Sequence, residues 1–172
     1  MIDCDALARE IVLPGSPVLA KLAERFGEDV LCKGETLDRQ LLAERAFASE
    51  KARRDLGLIT HPAITSLALE RAKALQGFKA IVLDAAALLD SELAPLCAHV
   101  LVITAPEDLR LARVLARDGI TPEAARQRLA AQSRMDWTGH TVIQNTGSEA
   151  ALRDAIQEAF TKINNDIGEH HD

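Results

Sequence analysis

The sequence predicts an α/β protein in which helices cover both faces of a parallel sheet. Three short apolar runs, at residues 80–84, 99–104 and 141–143, lack the polar alternation of a strand with one face in water. Such runs are typical of strands that are buried on both faces. Apolar residues at helical spacing dominate the first 76 residues. We therefore expect a helical block followed by an α/β core, within one domain of 172 residues.

The helical block begins with two helices between residues 5 and 26. The segment Pro14–Pro17 separates them, with Ser16 as the expected cap and the proline after it in the first turn. A third helix is predicted from residue 37 to residue 47. A fourth begins after Ser49 and ends near residue 75.

The dipeptide His61–Pro62 lies within this fourth helical stretch. The residue before a proline disfavours the helical conformation. We therefore expect an interruption of the helix at this point.

Helices also connect the predicted strands of the second half. One extends from residue 106 to residue 118 and ends at Gly119. Another opens at residues 121–123, where a threonine cap precedes a proline and a glutamate. Residues 148–163 form the last predicted helix, and residues 164–172 are expected to be a disordered tail.

Composition excludes several classes of function. The net charge is −6, so the chain is not expected to bind nucleic acid or an anionic membrane through its overall charge. No apolar run approaches the roughly 20 residues of a membrane-spanning helix. The three cysteines lack zinc-site spacing. We therefore expect reduced thiols, no bound metal ligand set and a cytoplasmic location.

Two carboxylates follow the apolar start of the chain. Asp3 and Asp5 are spaced i and i+2, which places both side chains on one face of an extended segment. The carboxyl ends of strands are where open α/β sheets bind ligands. A carboxylate there can orient a hydroxyl group or accept its proton during phosphoryl transfer. The alternative is that Asp5 only caps the following helix.

Three arginines form a stripe on one predicted helix. Arg110, Arg113 and Arg117 are spaced i, i+3 and i+7 and therefore share one helical face. Guanidinium groups in such a stripe can clamp phosphates. The helix leads into an Asp118–Gly119 turn that suits a mobile lid. A solvated basic face is the alternative interpretation.

Three single residues carry weaker indications. His61 can present an imidazole to a ligand, although an isolated histidine is more often a packed residue. Asn145 opens a turn after a strand, where polar groups can meet a base edge. Asp84 ends a strand, as a magnesium-coordinating acid does in nucleotide-binding folds. None of the three specifies a ligand alone.

In order and spacing, these features resemble the dephospho-coenzyme A kinase family of P-loop kinases. The resemblance covers nearly all of residues 1–165 and rests on these segments: Ile2–Arg9, Gly34–Arg39, Thr60–Ile64, Val82–Asp90, Arg117–Thr121 and Val142–Asn145. It implies a P-loop kinase-like, three-layer parallel sheet with a helical substrate-binding insertion. The expected activity is transfer of the ATP γ-phosphoryl group, with Mg²⁺, to the ribose 3′-hydroxyl of dephospho-coenzyme A.

The resemblance also implies a division of the chain. Residues 1–165 are expected to form one kinase-like domain and residues 166–172 a tail. Within the domain, residues 6–76 would bind the acceptor. Residues 77–165 would form the α/β core, with a lid near residues 117–140.

The family further implies roles for seven residues. These are Asp5 at the acceptor hydroxyl; Asp3, Arg39 and His61 in acceptor binding; Arg113 and Arg117 at the phosphates and the lid; and Asn145 at the adenine of ATP. ATP and dephospho-coenzyme A are the expected small-molecule partners.

One family motif is absent. None of the 172 residues forms the phosphate-loop pattern Gly-x-x-x-x-Gly-Lys-Ser/Thr. The sequence thus resembles a family member that lacks the N-terminal strand, the phosphate loop and the first helix. That loop supplies backbone N–H groups, a lysine and a magnesium-binding hydroxyl. We therefore expect impaired phosphoryl transfer. Without that N-terminal strand, the edges of its neighbouring strands would be unpaired. We therefore expect lower stability or self-association.

Two other functions stay open. One is a non-catalytic remnant or binding protein that retains the acceptor-binding half. The other is a different P-loop small-molecule kinase, which the Gly34–Arg39 and His61–Pro62 segments disfavour.

Overall fold

A computed structural model describes residues 1–130 and 136–169, without the side chains of residues 127, 128 and 166–169. The chain divides into two compact units, Met1–Leu96 and Cys97–Asp172. Among the described residues, the strands form two separate two-stranded sheets, and both pairs are parallel. The structure confirms the predicted combination of helices with parallel strands.

The first unit is mostly helical. Its elements in chain order are β1 (Ile2–Asp3), α1 (Cys4–Glu10), α2 (Pro17–Phe26), α3 (Arg39–Ala46), α4 (Glu50–Ala74) and β2 (Leu83–Asp84). Short 3-10 turns occur at Glu28–Val30, Leu88–Asp90 and Ala94–Leu96.

Local capping explains where these helices begin. The Ser16 hydroxyl accepts hydrogen bonds from two N–H groups at the start of α2. Asp38 and Ser49 cap α3 and α4 through single hydrogen bonds from N–H groups of their first turns. Each cap satisfies a backbone donor that has no partner inside its helix. The start predicted for α2 at Ser16 and the start predicted for α4 at Ser49 are confirmed.

Two hydrophobic clusters stabilise the first unit. The helical cluster consists of Val12, Leu19, Leu22, Ala23, Phe26, Val30, Leu42, Ala46 and Ala52. The sheet-side cluster consists of Ile2, Cys4, Leu7, Ala68 and Leu93. Helices α1, α2 and α3 all pack on α4. The long helix α4 therefore contributes to both clusters, with Ala52 in one and Ala68 in the other.

The expected interruption at Pro62 is wrong. Helix α4 continues through this residue from Glu50 to Ala74. Proline has no N–H group, so the helical hydrogen bond to the carbonyl of Leu58 cannot form. Packing of the helix on both sides of this point outweighs the local preference of the residue before the proline.

The second unit contains the other sheet. Its elements are β3 (Leu101–Thr104), α5 (Glu107–Asp118), α6 (Pro122–Ala130), β4 (Thr141–Gln144) and α7 (Glu149–Glu169). Gly119 ends α5 with a left-handed backbone, at a φ of 61°. Helix α7 continues to Glu169, past its predicted end near residue 163, and the last three residues of the expected tail lie outside the described part. No helix of the described residues is long and apolar enough to cross a membrane.

The strands are shorter and more exposed than predicted. The run at residues 80–84 forms a strand only at Leu83–Asp84. In the second sheet, Ile143 is buried, but Ile103 is 49% exposed and Val142 is 39% exposed. Burial on both faces is therefore wrong for β3 and β4. In a two-stranded sheet every strand is an edge strand, which leaves its side chains partly open to water.

Candidate functional site

Two strand ends of the first unit bring acidic residues to one edge of a sheet. Strands β1 and β2 pair with Ile2 opposite Leu83 and with Asp3 opposite Asp84. Asp5 follows in the first turn of α1. All three aspartates are exposed. The carboxyl edge of a parallel sheet is a common ligand site, so we place the candidate site at this edge.

Asp3 and Asp5 differ in their structural roles. The Asp3 carboxylate accepts a hydrogen bond of 2.9 Å from the N–H of Ala6, and it lies 3.8 Å from the guanidinium of Arg9. Asp3 is therefore the cap of α1. The prediction that both carboxylates lie on one face of an extended segment is wrong, because the helix already begins at Cys4. The alternative in which Asp5 is the cap is also wrong.

A cavity of about 90 Å³ lies beside Asp5. Its walls come from α1, from the middle of α4 and from the segment after β2, and its polar side chains are those of Asp5, His61, Thr65 and Ser91. Most other lining residues are alanine, isoleucine and leucine. Apolar walls with a few convergent polar groups are typical of small-molecule sites. The structure thus brings together the predicted residues Asp5 and His61.

Sequence reasoning missed two polar residues of this cavity. Thr65 lies one helical turn after His61, so the i, i+4 spacing was an available signal. Ser91 had no such signal, because a turn after β2 brings it there. The Ser91 hydroxyl donates to the carbonyl of Leu88 at 2.7 Å and accepts from the N–H of Leu93 at 3.2 Å. Ser91 therefore shapes the cavity wall.

The other two predicted acceptor-binding residues are not among the residues that line this cavity. Asp3 is the cap described above. Arg39 is exposed at the first position of α3, and within the described residues its side chain forms no ion pair. Roles for Asp3 and Arg39 in acceptor binding stay predictions.

The second unit brings Arg113 and Asn145 together. Arg113 lies on α5, and its Nη2 is 3.4 Å from the side-chain oxygen of Asn145. Asn145 directly follows β4, and its N–H donates to the carbonyl of Thr104 at 2.6 Å. This backbone bond extends the pairing of β4 with β3 by one residue. Two residues predicted for the ATP side are therefore neighbours in the fold.

Arg117 has a protein partner. Its Nε and Nη2 donate to the carboxylate of Asp118 at 2.6 and 3.0 Å. These hydrogen bonds raise the pKa of the Arg117 guanidinium. The Arg117 side chain is nevertheless 68% exposed, so exchange of Asp118 for a phosphate requires little desolvation. Residues 131–135 of the predicted lid lie outside the described part.

The residues described do not provide a metal centre by themselves. Within residues 1–130 and 136–169, no three His, Cys, Asp or Glu side chains are grouped so that they could hold a metal ion. Asp3, Asp5 and Asp84 therefore do not form such a group. These residues do not fit a complete magnesium site.

Comparison with solved structures defines the class of protein. The chain resembles the protein in a crystal structure of TT1252 from Thermus thermophilus, with a TM-score of 0.75 and 25% identity over 94% of this chain and 83% of that chain. It also resembles dephospho-CoA kinase from Campylobacter jejuni, with a TM-score of 0.60, 28% identity and the same coverage of both chains. The fold is that of the P-loop kinase-like α/β proteins.

Sequence comparison defines the family. The family model described as dephospho-CoA kinase matches residues 1–150. The dephospho-CoA kinase of Syntrophotalea carbinolica is 41% identical over 95% of this chain and 80% of the relative. That of Geobacter sulfurreducens is 37% identical over 94% of this chain and 85% of the relative. The chain belongs to the dephospho-CoA kinase family, a family of ATP-using enzymes, which confirms the resemblance found in the sequence.

Proposed function

We propose that this chain forms the acceptor side of a dephospho-coenzyme A kinase, and that it transfers the ATP γ-phosphoryl group to the ribose 3′-hydroxyl when a phosphate loop is supplied. The observation that carries this proposal is the cavity shared by Asp5 and His61 at the carboxyl edge of the first sheet. Family membership supports the choice of ATP and dephospho-coenzyme A as substrates.

Asp5 is the proposed catalytic residue. Its carboxylate accepts the proton of the 3′-hydroxyl while the ribose oxygen forms a bond to the γ-phosphorus. The bond between that phosphorus and the bridging oxygen breaks, and ADP leaves. Exposure of Asp5 at the cavity and its freedom from the capping role of Asp3 support this assignment.

Acceptor binding is proposed for the cavity walls. The apolar lining shields the face of a nucleoside, while His61 and Thr65 provide polar groups one helical turn apart on α4. Arg39 is proposed to contact a phosphate of the acceptor, because a guanidinium group forms charge-assisted hydrogen bonds with phosphate oxygens.

ATP contacts are proposed for the second unit. Asn145 offers an amide to the adenine edge, and Arg113 beside it offers a guanidinium to the phosphates. Arg117 joins them after it exchanges Asp118 for a phosphate oxygen. These groups orient ATP and offset negative charge, which are the two main protein contributions to phosphoryl transfer.

The 172 residues contain no phosphate-loop motif, and this sequence observation favours a second candidate function. Without the N–H cradle and lysine of that loop, the chain by itself would be a protein that binds the acceptor but does not phosphorylate it.

Calorimetric titration of the purified chain with dephospho-coenzyme A tests the acceptor site. We expect binding that His61→Ala weakens by about twofold to tenfold, the loss of one ordinary hydrogen bond. Arg54→Ala is the matched control, since Arg54 is an exposed residue of α4 outside the cavity. No heat of binding to the folded chain, or equal weakening by both variants, would remove the acceptor site from this cavity.

A further inference from the structure

The imidazole of His61 lies over Gly57, one turn earlier on α4. A Cβ atom placed on Gly57 would be 3.3 Å from Cε1 of His61 and 3.6 Å from each ring nitrogen. Long side chains on a helix lean back over the preceding turn. The ring therefore occupies space that any side chain at position 57 would share. An added methyl group would displace the ring by a few tenths of an ångström.

Three residues of this part of α4 are unfavourable in the interior of a helix. Glycine in a helix interior is less stable than alanine. The Thr60 hydroxyl donates to the carbonyl of Leu56 at 2.9 Å, and such back-bonding weakens and bends helices. Pro62 removes one backbone hydrogen bond. Departures of this kind from local preference are expected where function sets the sequence.

The same part of α4 lies between the two hydrophobic clusters. Ala52 belongs to the helical cluster, and Leu56 and Ile59 pack against it. Ala68 belongs to the sheet-side cluster, and Ile64 packs against that cluster. Core packing therefore fixes α4 on both sides of His61. The His61 ring lies between these two packed segments, beside Gly57.

We propose that Gly57 is a positioning residue for the acceptor site. Because it has no side chain, the His61 ring lies back along α4 and forms part of the cavity wall next to Asp5. The proposal rests on the proposed function, because it assumes that the cavity binds the acceptor. It adds that the identity of residue 57 controls acceptor affinity through His61, without any contact between residue 57 and the acceptor.

The test is a double-mutant cycle on the full chain with Gly57→Ala, His61→Ala and the double variant. Dephospho-coenzyme A affinity is measured by calorimetry, ring position by the imidazole ¹H–¹³C resonances, and stability by the thermal midpoint. Leu58→Ala is the control, because Leu58 is 75% exposed and does not line the cavity.

Gly57→Ala should shift the His61 resonances and weaken acceptor binding by about twofold to tenfold, the range for one hydrogen bond. Its thermal midpoint should not fall, because alanine favours the helix. In the His61→Ala background, Gly57→Ala should not alter affinity, and Leu58→Ala should leave both affinity and the resonances unchanged.

Three results would overturn the proposal. The first is that the His61 resonances do not change in Gly57→Ala. The second is that Gly57→Ala weakens acceptor binding equally in the unaltered and His61→Ala backgrounds. The third is a lower thermal midpoint of Gly57→Ala, which would make Gly57 a structural residue only. If the unaltered chain does not bind dephospho-coenzyme A, the proposed function fails. The His61 resonances and the thermal midpoint still decide whether Gly57 positions the ring.

Discussion

Substitution of Asp3 and of Asp5 should separate stability from catalysis at neighbouring positions. Asp3→Ala removes the cap of α1, including the 2.9 Å hydrogen bond from Ala6. Loss of a cap of this kind costs about 0.5–2 kcal/mol. The ion pair of Asp3 with Arg9 adds little, because it is 3.8 Å long and both side chains are about half exposed. Asp3→Ala should therefore lower the free energy of unfolding.

Asp5→Asn should instead lower turnover more than it lowers the free energy of unfolding. Asp5 lies in the first turn of α1 but does not cap it, so its loss removes only a favourable interaction with the helix dipole, worth about 0.3–1 kcal/mol. Loss of a general base lowers turnover about 10²- to 10⁴-fold. Turnover of Asp5→Asn should fall by that factor, with acceptor and ATP affinities near those of the unaltered protein.

Two assays measure this separation. Urea unfolding of the chain gives the change in free energy for each variant. Turnover of dephospho-coenzyme A at saturating ATP is measured in a chain that carries a phosphate-loop unit. Retained turnover in Asp5→Asn would remove Asp5 from the catalytic role. A larger loss of turnover in folded Asp3→Ala than in Asp5→Asn would refute the assignment of the two roles.

Three further predictions concern the fold. Leu22→Ala should cost about 2–5 kcal/mol in urea unfolding, since Leu22 is fully buried in the helical cluster, and a cost below 1 kcal/mol would contradict that packing. Gly119→Ala should cost about 1–2 kcal/mol, because only its left-handed backbone opposes a side chain there; no loss of stability would contradict this reason. Hydrogen bonds from Arg45 lower the pKa of Asp29 below its ordinary value of 3.8, so this pair contributes stability above that pH and loses it as the pH falls through the lowered pKa. Acidification below pH 3.8 should therefore destabilise the unaltered chain more than the Arg45→Gln variant. Equal losses of unfolding free energy in urea titrations of the two proteins would show that the Asp29–Arg45 pair does not cause the acid sensitivity.

Helix starts could be predicted from the sequence because their causes are local. Ser16 and Ser49 cap the N–H groups of the turns that directly follow them. Gly119 ends α5 through its own backbone conformation. Each signal lies within a few residues of the boundary that it determines, so no knowledge of tertiary structure is needed.

The features of the fold that differ from the sequence prediction have tertiary causes. Pro62 predicts an interruption, but packing of α4 on two clusters keeps the helix continuous. The apolar run at residues 80–84 predicts a longer strand, but its partner β1 offers only Ile2 and Asp3 for pairing. Strand length therefore depends on a distant segment, which a local pattern does not reveal.

The candidate site could be predicted in part. Family resemblance indicated Asp5 and His61, and the cavity contains both side chains. Spacing alone gave the wrong geometry for Asp3 and Asp5, because the strand ends sooner than the pattern suggests. The pairing of Arg117 with Asp118 depends on side-chain rotamers, which the stripe of arginines does not specify. The roles of these residues stay predictions until they are tested.

The most direct test of the proposed function measures ATP-dependent phosphorylation of dephospho-coenzyme A. The purified chain of 172 residues is compared with the same chain carrying a strand, a phosphate loop and a helix at its amino end. We predict turnover only in the second protein, together with acceptor binding in both. Turnover by the first protein, or none by the second although it is folded and binds both substrates, would contradict the proposed function.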